Sequence, residues 1–301
     1  MKMISILKKT DAQVERKWDA RFIKDKIFTG FIIIFSLITI SPIVLIISKL
    51  ISKGYKQLNW SFFTETTPNT YQAMLAVNLG EIIPGGVLNG ITGTILMVLI
   101  ASIMAIPIGI MVGIFLYENQ TKKYAVIVKD ITDILQGVPS IVLGLISYFW
   151  VVKYITNGFS ALAGSFALFI MMLPLIIRST EETFKMIPVS IKEAGFALGA
   201  PYHKIILKVM IPSGLSGLIT GILLAISRVV GETAPLMLTA LGSMVVNLNI
   251  EKPTSALPLL IWEFYNDPNM VDLIWATSLL LMMLVLGLNL ISKYIISKRN
   301  L

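Results

Sequence analysis

The 301-residue chain contains no cysteine and a single histidine, His203. The first absence excludes disulfides, thiolate metal sites, iron–sulfur clusters and cysteine nucleophiles. The second leaves a histidine metal site or a Ser-His-Asp triad almost nothing to build from. Also missing are the G-x-x-x-x-G-K-[ST] loop that cradles nucleotide phosphates, the H-E-x-x-H helix of zinc proteases and the G-x-S-x-G turn of serine hydrolases. Charge is scarce as well: Asp, Glu, Lys and Arg make up 14% of residues, against roughly 25% in a soluble domain. What the chain has instead is apolar bulk, 55% of its residues, with a mean hydropathy of +0.81. A surface so poor in charge would not stay dissolved. The composition is that of an all-α, multi-pass membrane protein.

A helix needs about 20 mostly apolar residues to cross a ~30 Å hydrocarbon core. Five such runs are clear, at Ile27–Ser48, Ile91–Tyr117, Ile131–Val152, Phe159–Ile177 and Asp272–Ser292. A sixth starts at Ser213 and stays mostly apolar to Val246, too long for one straight span, so it divides into a helix to about Thr233 and an outer or re-entrant segment. With six spans the termini share a side. If that side is the inner one, the inner segments hold nineteen Lys and Arg and the outer ones five. The positive-inside rule then sets both termini in the cytoplasm. The net charge of +8 is this asymmetry, not a nucleic-acid footprint. The expected organisation is an amphipathic N-terminal segment at 1–26, with Trp18 and Phe22 one turn apart at the membrane surface, a six-helix domain at 27–292 and a short inner tail at 293–301. The long apolar run and the lack of a small-residue cleavage site argue against a removed signal peptide.

Two connections exceed what topology needs. The outer one, 50–87, carries Trp60, Phe62 and Phe63, candidate membrane anchors or contacts for an external partner, a surface to which 247–271 would add. The inner one, 178–212, alternates helical runs with Pro188, Gly195, Gly199, Pro201 and Pro212, and reads as short helices that dock a soluble partner. His203 lies there as a surface or interface residue. Gly109-x-x-x-Gly113 and Gly217-x-x-x-Gly221 allow close helix contact.

The most informative charges are Arg228 and Glu232, four residues apart and expected on one helix face. A charge near the bilayer centre costs at least ~2.5–3.5 kcal/mol on insertion scales and normally faces a cavity or a partner. Two roles are open: an ion pair that locks two helices, or the lining of a solute path. An arginine there suits an oxyanion, whose geometry its planar fork matches. Glu232 would then either hold Arg228 in place or accept a proton from the solute.

Glu193-Ala194-Gly195, three residues, Gly199, nine residues, then Val209-x-Ile211-Pro212 resembles the E-A-A-x3-G-x9-I-x-L-P loop of ABC importer permeases. Gly195, Val209 and Ile211 depart mildly from it. Gly231-Glu232-Thr233-Ala234-Pro235-Leu236, Gly137-Val138-Pro139-Ser140-Ile141-Val142 and the stretch from Gly85-Gly86 to Gly93-Thr94 are similar to the A-type permease of phosphate-specific importers. Arg178 to Pro188, with Glu181 and Glu182, also resembles that family. The resemblance implies a type I importer fold in the cell membrane of a bacterium or archaeon. It implies that Glu193, Ala194, Gly195, Gly199 and Pro212 couple to the ATPase, with Arg228, Glu232 and Thr233 on the solute path. The implied partners are a C-type permease, two cytoplasmic ATPase subunits that carry ATP and magnesium, and an external phosphate-binding protein, the chain itself holding no cofactor. The C-type subunit, or a permease for sulfate or molybdate, is the nearest alternative. A stand-alone secondary transporter would want coupling carboxylates in several spans, and Glu232 is the one acidic residue deep in a span.

Overall fold

The computed structural model describes the backbone of residues 2–299 and the side chains of residues 21–295. The expected amphipathic face up to residue 20, Trp18 included, and the side chains of the tail beyond residue 295 lie outside the described residues. The chain forms two compact units, residues 1–52 and 53–301.

From Lys2 on, the first unit belongs to α1 (Lys2–Gly54), which runs on through Pro42. The hydroxyls along it turn inward: Thr39 donates to the Phe35 carbonyl at 2.8 Å and Ser48 to that of Leu45 at 2.9 Å. The outward surface is left to exposed side chains such as Phe28, Phe31 and Phe35, as lipid requires.

In the second unit, α2 (Trp60–Thr64) is capped by Asn59, whose side chain accepts from the Phe62 N–H at 2.7 Å. α3 (Thr70–Leu79) opens on an Asn69/Gln72 capping box and stops at Gly80 in the left-handed region. The long α4 (Leu88–Glu118) is followed by α5 (Lys123–Gly137) and α6 (Ser140–Ser147), the latter continued by a wider π-type turn to Val152. Ser160 caps α7 (Ala161–Lys185), its side chain accepting from Ala163 N–H at 3.1 Å. On the inner side lie α8 (Val189–Ala197), α9 (Tyr202–Ile205) and, after another wide turn, α10 (Ile211–Ser213). Then come α11 (Leu215–Val230), the short α12 (Ala234–Met237), α13 (Leu257–Tyr265) and α14 (Val271–Arg299).

Among the described residues, four helices are long and apolar enough to cross a membrane, and two bent pairs qualify as broken spans, for up to six. The bends correct two expectations. The run Ile131–Val152 is not one straight helix: α5 and α6 meet at 105°. Proline disfavours helical geometry at the residue before it, and Val138 is extended (φ −70°, ψ 132°). The second pair, α9–α10 with α11, bends by 72° at Gly214, one residue past the boundary expected at Ser213. A third correction concerns α7, which does not end at Ile177 but runs two turns further, so the inner connection begins at Met186 rather than Arg178.

The main core gathers Met97, Ala101 and Ala105 of α4, Leu168, Met172 and Ile176 of α7, Ala225 of α11 and Leu236 of α12. An outer cluster joins Phe62, Ala73 and Ile83 to Leu257, Leu260 and Phe264. Phe62 is thus fully buried, which removes it from the expected external contacts, while Trp60 stays 81% exposed. Phe63 packs edge-on against Phe62. An inner cluster holds Phe184, Ile187, Ile205, Ile206, Met210 and Leu218.

Candidate functional site

α7 is the element on which the rest of the site is mounted, and two glycine pairs bring its neighbours close. A Cβ on Gly109 of α4 would stand 2.6 Å from Cγ2 of Ile176, and one on Gly113 2.5 Å from Cβ of Thr180. On α11, a Cβ on Gly217 would stand 2.5 Å from Oγ1 of Thr183, and one on Gly221 would overlap the Ser179 hydroxyl. Both G-x-x-x-G spacings therefore seat α7, one turn of it against each pair, through backbone approach that any side chain would prevent.

Charges fix the inner end of α7. Arg178 reaches back to α5, donating from Nε to Asp133 Oδ1 at 2.9 Å and from Nη2 to Oδ2 at 2.6 Å, and from Nη1 to Glu181 Oε2 at 3.1 Å. Lys185 closes the group on the other Glu181 oxygen. The Glu181 side chain is 3% exposed and has both oxygens paired. The sequence named Arg178 and Glu181 only through the family resemblance; Asp133, in another element, gave no local signal.

At the far end of α11 the helix stops. Val230 is its last residue, Gly231 caps it (φ −92°, ψ 1°), and the Glu232 N–H donates to the Val229 carbonyl at 3.2 Å. Arg228 and Glu232 therefore do not share a helix face: the first lies in the last turn, the second beyond the cap, because Gly231 interrupts the run. They still come together, on the wall of a cavity of about 220 Å³ lined also by Gln136, Val138, Pro139, Ser140, Met171 and Pro174. That cavity opens where the α5–α6 bend turns the chain aside. Arg228 is exposed and Glu232 half-buried. The ion pairs among the described residues are Arg178 with Asp133 and Glu181, Lys185 with Glu181, and Lys192 with Glu118. Arg228 and Glu232 are in none of them, so of the two open roles the ion pair between these two is not formed among the described residues. Thr233 is not on the cavity wall; its carbonyl accepts from Met237 N–H at 3.1 Å and starts α12. Behind it Pro235 seats α12 on α6, where a Cβ on Gly144 would lie 2.6 Å from the Pro235 Cα.

A second, larger recess of about 550 Å³ lies toward the inner side, lined by Ser179, Glu182 and Thr183 of α7 and by Ser213, Ser216, Gly217 and Thr220. Ser216, Gly217 and Thr220 put the first half of α11 on the wall of this recess. No three His, Asp or Glu side chains gather to hold a metal ion among the described residues.

The inner connection forms short helices separated by turns. Glu193 and Ala194 lie exposed on α8, and Gly195 is buried, a Cβ there standing 3.1 Å from Cγ1 of Ile205. Gly199 has φ +72°, with its N–H on the Phe196 carbonyl at 2.9 Å and the Ala200 N–H on that of Gly195 at 3.3 Å. This is a Schellman end, which a β-carbon resists. Pro212 is exposed in α10. Around this loop Met186, Val189, Phe196 and Leu198 are exposed, Leu198 at 88%. An apolar patch of this kind beside a polar helix marks a protein partner.

The family model described as a binding-protein-dependent transport system inner membrane component matches residues 105–299. A phosphate transport system permease protein PstA of Yersinia pestis is 37% identical over 261 residues, 86% of this chain and 85% of the relative. The protein of the same name from Haemophilus influenzae is 32% identical over 288 residues, 95% and 97% of the two chains. That of Mycobacterium leprae is 34% identical over 276 residues, 90% and 88%. Among solved structures, a chain of the inward-facing MetNI methionine ABC transporter superposes with a TM-score of 0.59 at 23% identity, covering 69% of this chain and 94% of that one. At that identity the likeness speaks for the fold.

Proposed function

The chain belongs to the binding-protein-dependent transport system inner membrane components, and on that premise we propose that it is a permease subunit of an ATP-driven phosphate importer. The observation that carries this reading is Arg228, without a carboxylate partner among the described residues and facing a small cavity at a helix break. A guanidinium so placed can donate two hydrogen bonds to one oxyanion. Glu232, on the same wall but not tied to the arginine, is placed to accept the proton that phosphate keeps near neutral pH and to repel a fully ionised anion such as sulfate. The unformed lock supports this solute-reading role over a merely structural one.

No bond is made or broken in this chain; its work is to provide a path and a mechanical link. We assign α8 and its exposed neighbours to a cytoplasmic ATPase, present in two copies, and the other half of the path to a C-type permease subunit. An external binding protein delivers phosphate, and the assembly lies in the inner membrane of a bacterial or archaeal cell. α4, α7 and α11 are held as one block by the glycine pairs, so movement concentrates at the bends beside Pro139 and Gly214. The cavity at Arg228 opens and closes as those bends change.

The test is uptake by proteoliposomes that hold the whole complex. Arg228→Gln should abolish phosphate uptake while the subunits still co-purify. Glu232→Gln should keep uptake but admit sulfate. Normal uptake by Arg228→Gln would remove the arginine from the path, and a Glu232→Gln complex that still excludes sulfate would assign discrimination elsewhere.

A further inference from the structure

The docking helix α8 rests on apolar side chains, and apolar contact is not directional. One polar link ties it to a helix that crosses the membrane. Lys192, in the middle of α8, places its ammonium 2.7 Å and 2.6 Å from the two carboxylate oxygens of Glu118, the last residue of α4. The partners are 74 positions apart in sequence. Both side chains are mostly covered, at 20% and 15% exposure. The ammonium also lies over two rings, 5.6 Å from the centroid of Tyr117 and 5.9 Å from that of Tyr202, a geometry in which each ring face attracts the cation. Tyr117 packs in turn against Phe184 near the end of α7, centroids 5.7 Å apart, and Tyr202 opens α9. A single side chain thus joins α8, α9 and the inner ends of α4 and α7.

We infer that the Lys192–Glu118 pair is the strut through which displacement of the docking helix reaches the membrane block, and that it is needed for coupling and not for binding the ATPase. Three features support this. Lys192 is covered on the side of α8 away from the exposed Glu193, Ala194 and Leu198, so it does not belong to the docking face itself. An ion pair sheltered from water and held between two rings resists pulling and shearing, where the Gly195–Ile205 contact can slide. And α4 carries the Gly109–Gly113 pair that seats α7, so a pull on Glu118 is delivered to the block that ends at Arg228. Glu118 and Lys192 are positioning residues: neither lines the cavity that holds Arg228.

This inference rests on the reading of the chain as an ATP-driven importer subunit, and the experiment separates the two. The complete complex is reconstituted with Lys192→Gln, Glu118→Gln, Lys192→Arg, and the exchanged pair Lys192→Glu with Glu118→Lys. Co-purification of the ATPase, ATP hydrolysis and phosphate accumulated per ATP are measured for each. Both neutral variants should retain the ATPase and hydrolyse ATP, while phosphate moved per ATP falls about fivefold or more, the scale of an ordinary coupling free energy. Lys192→Arg should keep most of the coupling, and the exchanged pair should recover it over either single reversal. Neutral variants that transport at the wild-type ratio would overturn the strut. So would loss of ATPase binding in both neutral variants, or an exchanged pair no better coupled than Lys192→Glu alone. A wild-type complex whose ATP hydrolysis does not respond to phosphate would sink the importer reading instead.

Discussion

The seat of α12 on α6 can be tested with one methyl group. In the structure a Cβ added to Gly144 falls 2.6 Å from the Cα of Pro235 and 3.1 Å from its carbonyl oxygen. These are main-chain and ring atoms with no rotamer to change. Ordinary contact begins at 3.4 Å, so Gly144→Ala requires the two segments to part by about 0.8 Å, and overpacking of that kind costs ~1–3 kcal/mol. The strain falls on Pro235, three residues after Glu232, so the cavity wall that carries Glu232 must shift with it. Gly137 is the matched control. It is the last residue of α5, two positions before the same bend, and a Cβ there meets nothing within 4 Å. Alanine at Gly137 should be neutral or stabilise by up to ~1 kcal/mol, the helix-propensity difference between the two residues. The assay compares thermal midpoints of the purified complexes and phosphate uptake in proteoliposomes. Gly144→Ala should lower both, and Gly137→Ala neither. If the two variants behave alike, α6 does not press on Pro235 as described, and the placement of Glu232 on that wall loses its support.

At Gly199, where φ is +72° and a Cβ would meet nothing within 4 Å, the cost of substitution is purely conformational: Val should lose ~1–2 kcal/mol and weaken retention of the ATPase on a pull-down, whereas Asn, which tolerates the left-handed region, should not. Glu181→Gln, which leaves Arg178 with Asp133 and Lys185 with solvent but puts a neutral amide where a covered carboxylate accepted two charged hydrogen bonds, should destabilise the purified chain by ~1–3 kcal/mol, whereas Asp133→Asn, at a carboxylate 43% exposed, should cost under ~1 kcal/mol; equal midpoints would refute the difference in burial. Glu263 of the outer helix α13 is half-buried, and burial raises its pKa above the ordinary 4.5. Its contribution to stability is therefore full below that value and lost as pH rises through the higher folded one, so thermal midpoints of wild type should decline over that interval relative to Glu263→Gln.

Six apolar runs, a basic inner side and the docking spacing were legible because each is a local or compositional signal. The bend at Val138–Pro139 had a local cue in a proline that disfavours helix at its neighbour, but Pro42, Pro107 and Pro174 stay inside helices, and the apolar run continued across the bend and read as one span. The end of α11 was announced by Gly231, and the i, i+4 relation of Arg228 and Glu232 overrode that signal. Arg178, Glu181, Glu182 and Lys185 read as the start of the inner connection, because four charges in eight residues normally lie outside a span. Arg178, Glu181 and Lys185 stay in α7 because they neutralise one another and Asp133, a pairing that sequence spacing cannot show across 45 positions. Phe62 has the same lesson for aromatics: its burial depends on Leu257, Leu260 and Phe264, far along the chain.

The distribution of pairing bears on why Arg228 stands where it does. Arg178 and Lys185 at the inner end of α7, and Lys192 in the docking loop, have carboxylates within hydrogen-bonding reach. Arg228 has none among the described residues, although Glu232 is close enough to line the same cavity. An unpaired arginine in a membrane helix carries an insertion cost of at least ~2.5–3.5 kcal/mol near the bilayer centre, which a purely structural role would offset by pairing. Leaving it open is sensible only if water in the cavity, or the charge of a passing solute, takes the place of the missing carboxylate. The element that bears it supports the same reading. α11 has 16 residues, about 24 Å at 1.5 Å per residue, with the 72° bend after the docking loop at one end and Arg228 in the last turn at the other. Its glycines hold it to α7 in between. A displacement received at Gly214 therefore cannot be absorbed along α11 and arrives at Arg228, where the cavity wall formed by Pro139 and Ser140 belongs to a different, separately bent segment. On the proposed reading, the guanidinium and the opposite wall would then part, and an anion held between them would lose its second hydrogen-bonding surface, so that release would follow from the same geometry that provides the hold.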